Sequence, residues 1–175
     1  MLIPDGNGSW QVGEVQEQRI KVDGKNRTTE ERIARPDVDG KLSEVSRTVG
    51  QETETASGEK STTVDTYFTQ LPGSSSDGAL QLRRRVTTTQ KKDSSGEKTE
   101  QQVEEPNLDN PSDGLQVRAK TKCVVQYAAT GTQQTRTTQA LDGAGNFRVI
   151  SAETQKSDRP AQTPEKPADT PAKKP

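Results

Sequence analysis

Glycine punctuates this chain at regular intervals, and that spacing constrains the fold more than any other feature. Two series interleave. One is Asp39-Gly40, Asp77-Gly78, Asp113-Gly114 and Asp142-Gly143, with spacings of 38, 36 and 29 residues. The other is Asp23-Gly24, Ser57-Gly58, Ser95-Gly96 and Thr130-Gly131, with spacings of 34, 38 and 35. Together they form an internal repeat of roughly 35 residues. Asp-Gly and Ser-Gly supply the positive-φ positions that hairpin turns require. One hairpin per repeat is therefore predicted.

The segments between turns alternate with period two, the signature of a strand with one dry side. Leu80, Leu82, Arg84, Val86 and Thr88 form one such row. Leu115, Val117, Ala119, Thr121, Cys123, Val125 and Tyr127 form another, with Gln116, Arg118, Lys120 and Lys122 opposite. Thr62, Val64, Thr66 and Phe68 repeat the pattern, as do Phe147, Val149 and Ser151. No segment sustains a 3.6-residue period, so helix is not expected. The predicted fold class is all-β, an antiparallel meander of about nine strands. They fall near 9–22, 26–35, 41–55, 60–70, 79–91, 97–105, 115–128, 132–141 and 146–156. Breakers such as Arg35-Pro36-Asp37 and Leu71-Pro72-Gly73 separate the hairpins. From Ser157 the composition turns to Pro, Ala, Lys and Thr, which predicts a disordered, partly polyproline-like tail. The expected organisation is a hairpin-repeat domain over 1–156 and a tail over 157–175.

Composition decides what kind of sheet this can be. Leu, Ile, Val and Phe total 27 of 175 residues, roughly 15%, below the ~20% that usually separates folded from disordered chains. A thick two-layer core is excluded. The regular hairpins argue against the competing reading, a largely disordered linker. Stability must then rest on ladder hydrogen bonds, Thr pairs and Arg–Glu cross-strand pairs, each worth about 0.2–1 kcal/mol. An elongated, open or loosely curled sheet with one thin apolar stripe follows.

The same inventory narrows function. There is no histidine, so the commonest general base and metal ligand is missing. A single Cys123 forbids an internal disulfide and a Cys-rich zinc site, and its place on an apolar row reads as a small core residue. Asp37-Val38-Asp39-Gly40 looks like a calcium loop but lacks the further ligands of one; Asp and Asn also favour plain turns. Arg83, Arg84 and Arg85 alternate in direction and make no single basic patch. With a net charge of -1 and pI ≈ 5.7, no nucleic-acid partner is expected. No apolar run reaches the ~18 residues that cross a bilayer, so no membrane insertion is expected. Neither an enzyme nor a cofactor is expected.

Two phrases carry a resemblance. Pro36-Asp37-Val38-Asp39-Gly40-Lys41-Leu42 and Leu141-Asp142-Gly143-Ala144-Gly145-Asn146-Phe147 share an Asp-x-x-Gly-x-apolar core. That core resembles YD/RHS-type repeats, β-hairpin repeats of bacterial cell-surface and secreted proteins. Pro36 and Leu141 stand where those repeats carry Tyr, and the spacing here is longer. The resemblance implies a hairpin-repeat style and an extracytoplasmic setting. Met1-Leu2-Ile3-Pro4 has no basic or long apolar leader region, so any export signal is expected upstream of Met1.

The expected function is a non-enzymatic structural or interaction protein. An open meander leaves two edge strands with unpaired backbone groups, which pair with the same chain or another protein by strand addition. The strand at Trp10 and Val12 is one expected edge, and the strand at Phe147 and Val149 the other. The alternative is a carbohydrate- or ligand-binding module, with a cell-surface glycan on the polar face around Gln116 and Arg118.

Overall fold

A computed structural model of the chain describes residues 1–4, 7–37, 39–69, 79–107, 110, 113–128 and 130–158. The Asp77-Gly78 turn and the expected tail beyond Asp158 lie outside these residues. Every regular element described is a strand: β1 (Leu2–Pro4), β2 (Trp10–Val12), β3 (Val15–Asp23), β4 (Asn26–Pro36), β5 (Leu42–Glu54), β6 (Lys60–Thr69), β7 (Leu80–Asp93), β8 (Gly96–Pro106), β9 (Leu115–Ala128), β10 (Gly131–Leu141) and β11 (Phe147–Ser157). Strands β3 to β11 form one open antiparallel meander in sequence order, while β1 and β2 form a separate two-stranded hairpin. The expected first strand over 9–22 is thus two elements, broken at Gly13-Glu14. There the chain turns to take backbone bonds from Met1, whose carbonyl accepts the Gly13 N–H at 2.9 Å. Ser157, expected in the tail, closes β11.

The turns explain why Asp-x-x-Gly-x recurs. In the β4–β5 loop the Asp37 Oδ1 accepts the N–H groups of Asp39 and Lys41 at 2.9 and 3.0 Å, and Gly40 takes φ +76°. In the β10–β11 loop Asp142 Oδ1 accepts those of Ala144 and Asn146, both at 2.9 Å, and Gly145 takes φ +82°. The positive-φ residue here is Gly145, not the expected Gly143. Thr55 Oγ1 plays the same part in the β5–β6 loop, accepting the Glu59 N–H at 3.2 Å with Gly58 at φ +79°. Two later glycines of the series meet a second demand, and one of them, Gly131, also takes a positive φ of 155°. Gly96 and Gly131 are the first residues of β8 and β10, and a Cβ on either would sit 2.1 Å from the carbonyl oxygen of Val125 or Ser157.

Residues directly opposite in neighbouring strands share a face, so the register fixes two faces. Ile20, Thr29, Gly50, Val64, Val86, Val103, Ala119 and Ala140 lie in one row across β3 to β10. This is the thin apolar stripe. Its neighbour row on the other face includes Arg19, Glu30, Val49, Asp65, Arg85 and Glu104. No described side chain is fully buried, so the sheet is a single layer.

Four β-bulges modify the alternation, and they are periodic. The register shifts on β5, β7, β9 and β11 leave Val45, Arg83, Arg118 and Ile150 without a partner on the preceding strand. Each is the fourth residue of its strand. A bulge adds a residue to one strand only, so alternation restarts on the opposite face. Leu82 therefore pairs with Tyr67 and Arg84 with Thr66; the predicted row from Leu80 to Thr88 switches faces at Arg83. Val117 likewise leaves the row of Ala119, and Val149 that of Ser151. Thr62, Val64, Thr66 and Phe68 on unbulged β6 do share one face, as expected.

Bulges increase local twist and bend a sheet. Next-but-one strands β5 and β7, and β7 and β9, approach within 8 Å between Cα atoms, closer than the roughly 9.6 Å of two flat ladder spacings. The sheet is therefore curled.

Candidate functional site

Two features could engage a partner: the bare edges of the meander and a groove on the Arg85 face. The edges follow from topology. Strand β11 is one, as expected; the other is β3, not the strand at Trp10 and Val12. Those two residues belong to β2, which pairs only with β1, and both are exposed.

The edges differ in regularity. All nine residues of β3 are exposed, none is proline, and they pair with β4 from Val15↔Ala34 to Asp23↔Asn26 without a shift. Asp23 and Asn26 close a two-residue turn with Gly24 at φ +58°. Such closing residues exchange both backbone bonds, and hydrogen-bonded and non-bonded pairs then alternate. Hence Gln16, Gln18, Ile20 and Val22 direct their N–H and C=O groups outward. Ile20 and Val22 are 52% and 67% exposed, so no described residue covers them. On β11, Val149 is also exposed, but the bulge at Ile150 interrupts the outward row next to it. Bulges of this kind turn an edge away from further pairing.

The Arg85 face is concave. A groove of about 950 Å³ crosses it from Gln51 on β5 to Gln139 on β10. Its walls are polar: threonine hydroxyls, glutamine carboxamides and six charged groups, Asp65, Arg85, Glu100, Glu104, Lys120 and Lys122. Arg85 grips Asp65 side-on, Nε to Oδ1 at 2.7 Å and Nη2 to Oδ2 at 2.8 Å. That bond, with Glu104 nearby, holds the guanidinium pKa above its ordinary value. Lys98 holds Glu100 at 2.9 Å, and Gln102 Nε2 donates to Glu104 at 3.1 Å. Lys120 lies over the Phe147 ring, 4.3 Å from its centroid.

The residues predicted for polar-face binding fall elsewhere. Gln116 sits opposite Glu105, on the side of the sheet away from the groove. Arg118 is the bulged residue of β9, and its Nη2 donates to the Pro106 carbonyl at 3.2 Å. A straight strand would have put them in one row with Lys120 and Lys122; the bulge separates them. Phe147 serves as a floor for Lys120 as well as an edge residue. Cys123 is half-buried and accepts from Gln134 Nε2 at 3.4 Å. The Asp37 carboxylate is engaged by its own loop. Among the described residues no cluster of three or more metal-ligating side chains occurs, and no helix is long and apolar enough to cross a membrane.

In comparisons with protein-family models, curated proteins and solved structures, the chain matches none.

Proposed function

We propose that this chain is a non-enzymatic interaction protein that assembles by strand pairing, with β3 as the pairing edge and a second copy as the partner. The observation that carries the proposal is the row of outward backbone groups on β3, nine exposed residues long and unbroken by proline or bulge. Backbone pairing at an edge needs no apolar patch, because the ladder bonds recruit the partner. That suits a sheet this polar.

The number of strands selects the geometry. Eight antiparallel steps separate β3 from β11, so both edges run in the same direction. Stacking copies by translation would set β11 parallel to β3, the slightly weaker pairing. A two-fold axis instead pairs β3 antiparallel with itself, a closed and self-complementary contact. With Gln18 on the axis, Glu17 lies opposite the partner's Arg19, and Gln16 opposite the partner's Ile20. We further propose an extracytoplasmic setting, on the resemblance of the Asp-x-x-Gly-x turns to those of secreted hairpin repeats.

Analytical ultracentrifugation tests the edge. Concentration-dependent dimerisation is expected. Ile20→Pro removes an outward donor and should abolish it while the circular dichroism spectrum keeps its β-sheet form. Val149→Pro, beside the bulge of β11, should leave it in place. A protein that stays monomeric at high concentration, or a dimer lost only with Val149→Pro, would overturn β3 as the interface.

A further inference from the structure

We infer that the groove on the Arg85 face binds an acidic glycan, a chain of sugars bearing uronate carboxylates, through Lys120 and Lys122. This inference is independent of edge pairing and rests on how the groove's charges are used. Its three carboxylates are all engaged: Asp65 by Arg85, Glu100 by Lys98 and Glu104 by Gln102. Its two ammonium groups are not. Neither Lys120 nor Lys122 has a carboxylate within 4.0 Å among the described residues. Asp65 and Glu100 are each matched by a cation, whereas Glu104, bonded to a neutral carboxamide, keeps its charge; against the two free ammonium groups the balance open to a ligand is positive by one.

Geometry adds to this. Lys120 and Lys122 alternate on β9 and project from one face, roughly 6.8 Å apart along the strand. Lys120 is steadied over the Phe147 ring, a cation–π contact that positions the ammonium without neutralising it. The rest of the lining is threonine and glutamine, with Thr87, Thr137, Gln102 and Gln139 among them. Hydroxyls and carboxamides both donate and accept, which matches the hydroxyls of a sugar ring. A peptide ligand would use side-chain pockets, and this lining is polar throughout.

The test is isothermal titration calorimetry with oligogalacturonate. Saturable binding is expected, weakening as salt rises because the contacts are exposed ion pairs. Replacing both lysines, Lys120→Gln with Lys122→Gln, should lower the affinity at least tenfold. Lys92→Gln, on the opposite face, should not change it. Three results would overturn the inference: no binding, binding unchanged in the double variant, or equal binding of a neutral oligosaccharide. Tighter binding of oligoglutamate than of oligogalacturonate would also overturn it, in favour of an acidic peptide.

Discussion

Asp65 and Arg85 stand directly opposite each other on β6 and β7 and close a two-point ion pair at 2.7 and 2.8 Å. The pair sits on the concave face at the mid-length of the sheet, with the Asp65 side chain 15% exposed. A single-layer sheet has no interior, so such cross-strand clamps replace a core. Glu30 of β4 meets Arg47 of β5 at 3.6 Å in a looser cross-strand pair, while Arg32 at 2.8 Å holds Glu30 and Glu44 at 2.7 Å holds Arg47 from within their own strands.

Asp65→Asn should therefore lower stability by about 1–2 kcal/mol, the usual worth of a hydrogen bond to a charged group, moderated by the exposure of Arg85. Urea denaturation followed by circular dichroism measures this. Replacing Arg19, whose pair with Glu17 is exposed on edge β3, should leave the urea midpoint in place.

The strand glycines divide into two kinds. At Gly96 and Gly131 an added Cβ meets a backbone carbonyl oxygen at 2.1 Å, whereas at Gly50 its nearest neighbours are Thr29 atoms at 3.9 Å. Gly96→Ala and Gly131→Ala should each cost about 2–4 kcal/mol, since a packed strand must move. Gly50→Ala should stabilise by about 0.4–1 kcal/mol through the unfolded chain. Thermal melts of the three variants give the comparison.

The bulges allow a sharper contrast. Deleting Arg83 leaves every cross-strand pair of β6 and β7 as it is, because Leu82 and Arg84 already pair with consecutive residues. The loss should be within about 1 kcal/mol. Deleting Thr87, in the regular stretch of the same strand, forces a one-residue slip and turns side chains to the wrong face. That variant should fail to give a cooperative urea transition. Equal effects of the two deletions would contradict the bulge.

Acid should loosen the sheet in a defined sense. The hydrogen bond from Arg47 holds the Glu44 carboxyl below its ordinary pKa, and the Ser95 bonds do the same for Asp93. A depressed folded pKa contributes stability that is present above the unfolded value, near 4, and is lost as pH falls through the folded value. The urea midpoint should be level from pH 7 to about 5 and fall below about 4. Glu44→Gln should flatten part of that fall.

Much of this was legible in the sequence because turns are local. Gly40, Gly58 and Gly114 mark positive-φ positions that little else tolerates, so strand number and order could be read from punctuation. The bulges were not legible. In Leu80-Gln81-Leu82-Arg83-Arg84-Arg85-Val86 the apolar residues keep an even spacing, and only the partner strand shows that Arg83 is extra. The polar-face site was misplaced for the same reason, since Gln116 reads as one row with Lys120 and Lys122 until the bulge at Arg118 turns it to the other face. The break at Gly13 was missed because Trp10, Val12 and Val15 read as one continuing strand.

Amide hydrogen exchange resolved by residue tests edge pairing most directly. The N–H groups of Gln16, Gln18, Ile20 and Val22 point outward on β3 and have no neighbouring strand in the monomer. Their exchange should slow as protein concentration rises, while that of Arg19 and Lys21, already bonded to β4, stays slow throughout. Association that leaves Gln18 and Ile20 exchanging as fast as in dilute protein would contradict pairing at this edge.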